Sequence, residues 1–415
     1  MPDTTIEELS IRKIFNSRGE ETVEVEVYLV DGFGVAAAPA GASRGAYEVV
    51  YFPNNNVDDA VMSFERLVIS ELVGLDAANQ ALIDAKLEEI DGTENFSRIG
   101  GAPAIATSMA CAKASSNALG IPLFQHLGGS LKKELPYPVG NVIGGGKHSR
   151  GLGPDIQEFL VIPIGANDMY MAIKACIEVH KEALKEILKV DTTFTGGRND
   201  EGAWTPRIST ETALNILKTV TQRISEKYGF EIKLGIDMAA SSMWSNGKYI
   251  YKNEGVERST KEQLEYVKQL IDKYELLYVE DPFHEDDFRS FAELTDYTKD
   301  KCLIVGDDLF VTNVERLKIG IKERAGNAII IKPDQIGTLT RAKETIELAL
   351  RNGYVPIVSH RSGETEYSIL AHIAVGFSAP LIKTGIMGGE RMAKLNELIR
   401  IWEYLGRSAR MAIVR

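Results

Sequence analysis

The segments LLYVED (residues 276–281), LIVGDD (303–308), AIIIK (328–332) and PIVSHRS (356–362) decide the fold of this chain. Each is a short apolar run that ends in residues able to do polar chemistry, and KLGID (233–237) and LIK (381–383) repeat the pattern. Continuous runs of Val, Ile and Leu are typical of strands buried on both faces of a parallel sheet. We therefore predict six parallel strands separated by helices, with their final residues on one rim.

The spacing of these strand ends fits a closed barrel. Subtracting residue numbers gives steps of 27, 25, 28 and 23 residues from Glu280 to Asp307, Lys332, His360 and Lys383. One strand, one helix and two short loops require about that length. An α/β barrel collects several strand ends at the rim where its active site lies. The predicted fold class is therefore α/β, with a (β/α)8-type barrel.

A smaller α+β domain is predicted before the barrel. TVEVEVYLV (22–30) alternates apolar and polar residues and meets the turn pair Asp31-Gly32, which predicts an antiparallel meander. Small residues dominate 104–120, a composition that favours closely packed helices. Because Pro136 and Pro138 then interrupt regular helix, we place the first domain at residues 1–134 and the barrel at 135–415.

Two helices of the barrel can be predicted from their patterns. Ser259 and Glu262 form the signature of a capping box at a helix start. Apolar residues then recur on one helical face, which predicts packing against the sheet; they are Leu264, Val267, Leu270, Ile271 and Tyr274. A second apolar stripe comprises Leu214, Leu217, Val220 and Ile224.

The charged strand ends predict a metal-assisted reaction. Carboxylates that face one cavity repel one another unless a cation holds them together. Asp237, Glu280 and Asp307 offer only oxygen ligands, which favours Mg²⁺ over softer metals. Lys332 and Lys383 follow on the same rim, and a lysine beside a metal ion has a lowered pKa that suits it to proton abstraction.

Composition limits the partners. The formal net charge is −12, from 59 acidic and 47 basic residues, which argues against nucleic acid as the main partner. Cys111, Cys176 and Cys302 are odd in number and lack metal-ligand spacing, so they read as buried thiols of a reducing, cytoplasmic compartment. No secretory signal and no apolar run of about 20 residues is found, so no membrane partner is expected.

Longer strings carry a family resemblance. Among them are FNSRGEETVEVEV, APAGASRGAYE, GKHSRG, NDEGAWTP, VEDPFHEDDF, IIKPDQIGT and VSHRSGETEYS, in this order along the chain. With these strings the chain resembles the enolase family, the phosphopyruvate hydratases of glycolysis, from about Ile11 to Gly406. The resemblance implies the enolase kind of barrel, a homo-oligomer (dimer or octamer) and dehydration of 2-phosphoglycerate.

The resemblance also implies the roles of the strand-end residues. Asp237, Glu280 and Asp307 would hold the first Mg²⁺. Lys332 would take the C2 proton of the substrate, and Lys383 would balance the charge of its carboxylate.

Further residues of the matching strings have implied roles near the substrate. Glu201, with Glu158 beside it, would protonate the departing C3 hydroxyl, close to His360. The phosphate would be bound by Arg361 and Ser362. Two residues lie on closing loops: His148, and Ser43, which would reach a second, substrate-dependent Mg²⁺.

The chain departs from the family pattern in the loops around these residues. The departures are Ala40, Arg44, Gly144, Ala203, Pro333 and Asp334. Two alternatives therefore stay open: a paralogue that acts on a related carboxylic or phosphorylated acid, and a non-catalytic binding or scaffold protein with the same fold. The scaffold is disfavoured by four charged residues retained in a cleft, Glu158, Glu201, Lys332 and Lys383.

Overall fold

A three-stranded antiparallel sheet forms the base of the N-terminal domain. The computed structural model describes residues 2–41, 47–149, 151, 153–299 and 301–414, and only the backbone of His148. The strands β1 (Ile6–Phe15), β2 (Glu21–Leu29) and β3 (Phe33–Ala37) pair in the order β1-β2-β3. The turn at Asp31-Gly32 closes with a 2.8 Å hydrogen bond from the Leu29 amide to the Gly32 carbonyl. The predicted meander is confirmed.

The helices of this domain pack on the sheet or on one another. They are α1 (Val57–Leu67), α2 (Ile69–Leu72), α3 (Gln80–Asp91), α4 (Gly101–Ala118) and α5 (Leu123–Gly128). α4 lies very close to β3. A Cβ atom on Gly34 of β3 would lie 2.2 Å from the carbonyl oxygen of Ala110 in α4. Glycine and alanine at these positions therefore set the distance between the helix and the sheet.

Strands and helices alternate through most of the chain after α5. The strands are β4 (Glu134–Leu135), β5 (Tyr137–Gly144), β6 (Glu158–Ile162), β7 (Lys233–Asp237), β8 (Trp244–Ser245), β9 (Lys248–Tyr251), β10 (Val256–Arg258), β11 (Tyr278–Glu280), β12 (Leu303–Gly306), β13 (Ala328–Ile331), β14 (Val355–Ser359), β15 (Leu381–Lys383) and β16 (Arg410–Met411). The helices are α6 (Met169–Val190), α7 (Thr210–Tyr228), α8 (Thr260–Tyr274), α9 (Phe288–Thr298), α10 (Val314–Glu323), α11 (Pro333–Ile336), α12 (Leu339–Arg351), α13 (Ile369–Gly376) and α14 (Gly389–Leu405).

Eight of these strands close a barrel in the order β11-β12-β13-β14-β15-β5-β6-β7. The six predicted strands, β7 and β11 to β15, are parallel to their neighbours within this set, as the sequence indicated. The exception is β6, which runs antiparallel to both β5 and β7. Its first residue, Glu158, pairs in register with Asp237, the last residue of β7. Because β6 is reversed, its beginning lies at the rim where the other strands end.

The predicted core positions are buried. Ser259 and Glu262 form both bonds of a capping box at the start of α8, as predicted. The apolar stripes of α7 and α8 face the interior, and Cys111, Cys176 and Cys302 are buried free thiols. None of the described helices is long and apolar enough to cross a membrane.

The junction between the domains involves the last described strand. β16 pairs in parallel with β4, with Met411 opposite Leu135. The division predicted at residue 135 therefore falls within β4. Downstream of this pairing, the first barrel strand, β5, starts at Tyr137.

Candidate active site

Six chemistry-bearing side chains lie at the rim where the parallel strands end. Three are the last residues of their strands, and three follow the last residue directly. They are Asp237, Glu280 and Lys383 in the first group and Asp307, Lys332 and His360 in the second. The apolar runs supply the buried strands, and the register of the barrel brings their ends together.

A cavity of about 480 Å³ opens at this rim. It is lined by nine of the residues selected from the sequence, namely Glu158, Glu201, Asp237, Asp307, Lys332, His360, Arg361, Ser362 and Lys383. Glu280 reaches the same cluster through its ion pair with Lys383. Ser43 and Arg44, and the side chain of His148, lie outside the described part of the chain.

Lys383 lies between three carboxylates. Its Nζ atom is 2.9 Å from Glu158 Oε2, 3.0 Å from Asp237 Oδ2 and 2.9 Å from Glu280 Oε2. Burial alone would lower the pKa of Lys383, but the surrounding carboxylates outweigh it and raise this pKa well above its ordinary value. Burial and the Asp237 charge raise the pKa of Glu280 to about 8.

Lys332 forms an ion pair with Asp307. Burial would lower the pKa of Lys332, but the Asp307 charge raises it, and the net direction is upward. The sequence predicts a lowered lysine pKa for a site that holds a metal ion, and this stays a prediction. Burial also acts against the charged form of Asp307, and Lys332 reverses the effect so that the pKa of Asp307 is lowered.

Two carboxylate oxygens at the rim fit a hard divalent cation. Within the described residues, Glu280 Oε1 and Asp307 Oδ1 are buried and have no hydrogen-bond partner. A buried acceptor without a hydrogen-bond partner destabilises the folded protein. Carboxylate oxygens are the ligands that Mg²⁺ prefers. Together with Asp237, 4 % exposed, they make a donor set suited to Mg²⁺.

A second carboxylate group adjoins the first. Ligand oxygens of Asp281, Asp307 and Asp308 lie within 4.8 Å of one another. Asp281 accepts hydrogen bonds from the backbone amides of Asp307 at 3.0 Å and Asp308 at 2.7 Å, so it holds the strand end that carries Asp307. Of this group, the sequence pattern had singled out only Asp307.

Glu201 and His360 lie close together in the cavity. Asn141 Nδ2 donates to Glu201 Oε2 at 3.1 Å, and His360 Nε2 lies 3.8 Å from the same oxygen. Burial, followed by repulsion from Glu201, raises the pKa of Glu158 well above its ordinary value. A carboxyl group that is readily protonated thus lies beside Glu201.

Arg361 is held by two acidic residues that were not predicted to be its partners. Its guanidinium lies 2.6 Å from Asp334 and 3.2 Å from Glu48, and all three side chains are buried. Burial raises the pKa of Asp334 to about 6, against the opposing charge of Arg361. Asp334 lies on α11, and its carboxylate contacts Arg361.

Two family models match the chain. The enolase N-terminal domain matches residues 6–127, and the enolase C-terminal TIM barrel domain matches residues 132–414. The chain is 60 % identical to the enolase of Pyrobaculum aerophilum over 411 residues, which cover 98 % of each chain. It is 51 % identical to the enolase of Methanothermobacter thermautotrophicus over 403 residues, 97 % of each chain.

The chain belongs to the enolase family.

Membership makes this chain a hydro-lyase of the phosphopyruvate hydratase class. It also agrees with the closed eight-stranded barrel. A third relative, the enolase of Archaeoglobus fulgidus, is 48 % identical over 400 residues that cover 96 % of this chain and 98 % of the relative. The resemblance stated from the sequence is confirmed.

One residue behind the enolase site was missed from the sequence. Arg391, in α14, is fully buried and its Nη1 atom lies 2.7 Å from His360 Nδ1. A signal was available, because Arg391 and Lys394 share a helical face with Leu395 and Leu398, which are core residues. Two cations on the apolar face of a helix indicate buried partners.

Proposed function

We propose that this chain dehydrates 2-phosphoglycerate to phosphoenolpyruvate in an Mg²⁺-dependent reaction, with Lys332 as the base and Glu201 as the acid. The observation that carries this proposal is the position of the two groups on the barrel. Lys332 follows β13 and Glu158, beside Glu201, begins β6, and these strands are four places apart in the ring of eight. Base and acid therefore approach a bound substrate from opposite walls.

Opposed walls suit an elimination. Lys332 Nζ would remove the C2 proton from one side of the substrate. Glu201 would give a proton to the C3 hydroxyl on the other side, because hydroxide is a poor leaving group without one. The raised pKa of Glu158 supports proton transfer at that wall.

Asp237, Glu280 and Asp307 would hold the metal ion. When bound, Mg²⁺ would stabilise the negative charge that accumulates on the substrate carboxylate. Lys383 adds a fixed positive charge from the same side, since its Nζ atom contacts Asp237 and Glu280 at 3.0 and 2.9 Å. These residues would keep the charge of the deprotonated acid balanced.

Arg361 and Ser362 would bind the substrate phosphate. A guanidinium matches two phosphate oxygens at once. Arg361 forms its ion pairs with Glu48 and Asp334 inside the same cavity wall, so a phosphate would approach a cation whose charge is already shared. Ser43 and His148 would complete the closing loops around the substrate.

The test is an assay with 2-phosphoglycerate and Mg²⁺. Purified protein should generate the ultraviolet absorbance of a conjugated enol phosphate. Lys332→Ala should abolish both this signal and exchange of the C2 proton with solvent, and it should still bind Mg²⁺. Lys318→Ala is the control, since Lys318 pairs with Glu315 on the exposed face of α10.

Other results would favour the two alternatives. A wild type that is silent with 2-phosphoglycerate and exchanges the α-proton of another acid would be a paralogue. A wild type without metal-dependent ligand binding would be a binding or scaffold protein. A cytoplasmic location and a homo-oligomeric state remain predictions, and size measurement in solution tests the latter.

A further inference from the structure

The guanidinium of Arg391 forms hydrogen bonds with the loop that carries His360. Its Nη1 atom lies 2.7 Å from both His360 Nδ1 and the carbonyl oxygen of Arg361. Its Nη2 atom donates to the carbonyl oxygens of Asp200 at 3.0 Å and Ser362 at 2.7 Å. The four N–H groups of the two terminal nitrogens are thus matched by four acceptors.

This contact decides which nitrogen of His360 carries the proton. Arginine has only donors and keeps its proton at all accessible pH values. His360 Nδ1 must therefore accept the hydrogen bond from Arg391. A neutral imidazole that accepts at Nδ1 carries its hydrogen at Nε2.

The Nε2 atom of His360 points into the cavity. It is buried and has no hydrogen-bond partner among the described residues, and the nearest acidic oxygen, Glu201 Oε2, is 3.8 Å away. The side chain is 2 % exposed. A buried donor in this condition is costly, so the geometry indicates a ligand atom that accepts a hydrogen bond between His360 and Glu201.

We propose that Arg391 is a positioning residue that fixes His360 as the neutral Nε2–H tautomer, so that His360 donates a hydrogen bond to the departing hydroxyl oxygen of the substrate. This inference rests on the proposed function for the identity of that oxygen. His360 is then a donor that stabilises charge on the leaving group, and Glu201 alone supplies the proton. The burial of His360 and the charge of Arg391, which lower the pKa of His360, act in the same direction.

The direct test is the tautomer of His360 in the complete protein. Nitrogen NMR on protein labelled with ¹⁵N-histidine distinguishes a protonated from an unprotonated ring nitrogen, and loss of one signal in His360→Asn assigns the ring. We expect Nδ1 unprotonated and Nε2 protonated from pH 5.5 to 8. A protonated Nδ1 at pH 7 overturns the inference, and this measurement on the wild type does not depend on how any substitution at Arg391 folds.

Substitutions separate positioning from packing. Arg391→Met removes the obligatory donor, so His360 should sample both tautomers and kcat should fall tenfold or more with little change in KM. Arg391→Lys retains a donor and should recover part of the loss. The control is Lys394→Met, because Lys394 is a buried cation one turn along α14 that bonds the carbonyl oxygen of Thr365 at 2.6 Å and not the His360 ring.

The control should lose stability and keep the wild-type tautomer of His360. An unchanged tautomer in folded Arg391→Met would contradict the inference. If the wild type does not turn over 2-phosphoglycerate, the proposed function fails. If it turns the substrate over with His360 in the other tautomer, only the present inference fails.

Discussion

At the scale of single residues, the structure differs most clearly from the sequence prediction at Arg361, the predicted phosphate-binding residue, because two carboxylates neutralise its charge. Arg361 contacts two carboxylates, Glu48 and Asp334, where a phosphate-binding arginine was predicted. The role of Arg361 stays a prediction. The pairing with Glu48 could not be predicted from the sequence, because the two residues are 313 positions apart. Glu48 belongs to the first domain and Arg361 to the barrel, so they meet only where the two domains contact each other.

We expect Asp334→Asn to tighten anion binding. Asparagine keeps an oxygen that can accept from Arg361, but it removes a negative charge beside the anion site. A unit charge about 6 Å from the anion is worth about 3 kcal/mol at an effective dielectric of 20, and the effective change should be smaller. KM for 2-phosphoglycerate and the inhibition constant of inorganic phosphate should therefore fall several-fold.

The control for this prediction is Asp58→Asn. Asp58 pairs with Lys13 on the surface of the first domain, and its side chain is 63 % exposed. Asp58→Asn should leave KM for 2-phosphoglycerate and the inhibition constant of phosphate unchanged. A rise in KM together with a loss of kcat in Asp334→Asn would mean that the charge of Asp334 is needed to hold Arg361.

His180 should make stability depend on pH. Its Nε2 donates to the carbonyl oxygen of Gly202 at 2.9 Å, and burial lowers its pKa to about 4. The unfolded chain takes up this proton at about pH 6.5 and the folded chain only near pH 4, so acidification through this window favours unfolding. At about 1.4 kcal/mol per pH unit, the free energy of unfolding should fall by about 3 kcal/mol.

Chemical denaturation at pH 7, 5.5 and 4.5 measures this effect. His180→Gln keeps a side-chain donor and has no group that titrates in the window. Its free energy of unfolding should fall less steeply on acidification than that of the wild type. Equal slopes for the two proteins would contradict the prediction.

At the scale of elements, apolar runs ending in polar residues predicted the parallel strands because such strands are buried on both faces. The same run in IQEFLVIP could not reveal that β6 is antiparallel. The apolar pattern of a strand is the same whichever way the strand runs. Its orientation is set by the strands with which it pairs. For this reason the rim position of Glu158 came from the family resemblance and not from the pattern.

The contact between α4 and β3 should be sensitive to a single methyl group. A Cβ at position 34 would meet the Ala110 carbonyl oxygen at 2.2 Å and the Ala114 amide nitrogen at 2.4 Å. Gly34→Ala must therefore push the helix from the sheet, which should cost on the order of 3 kcal/mol of unfolding free energy. Gly389→Ala is a matched control, since its Cβ would have no atom within 4 Å.

Thermal and urea unfolding of the two alanine variants tests this comparison. The Gly389→Ala protein should be as stable as the wild type or slightly more stable, because alanine favours helix. Equal stability of the two variants would show that α4 can shift at little cost.

At the scale of the molecule, the two domains share a buried polar contact. Asp84 of α3 accepts from the Thr340 amide at 2.9 Å and from its hydroxyl at 2.6 Å, at the start of α12. Asp84 is 1 % exposed. The first domain therefore caps a helix of the barrel, and both should unfold together.

Asp84→Ala should weaken this coupling. It leaves two partly buried donors of Thr340 without their acceptor, which should cost about 1 to 3 kcal/mol. Glu88→Ala, the control, removes an ion pair with Arg341 in which Glu88 is 36 % exposed, so it should cost less than about 1 kcal/mol.

Two spectroscopic probes can follow the coupling. All three tryptophans, Trp204, Trp244 and Trp402, lie in the barrel part of the chain. Fluorescence therefore reports the barrel, and circular dichroism reports both domains. The two unfolding curves should coincide in the wild type and separate in Asp84→Ala; coincident curves in this variant would mean that the other contacts suffice.

The pairing of β15 with β5 has a consequence for synthesis on the ribosome. Leu381 lies opposite Tyr137, and subtraction gives 244 residues between them. The sheet β1-β2-β3 and its helix α4 are complete once Ala118 has emerged, whereas the ring stays open until Lys383 leaves the exit tunnel. The nascent barrel must therefore expose its Ile- and Val-rich strands for more than half of translation, and this is the interval in which a chaperone would be needed.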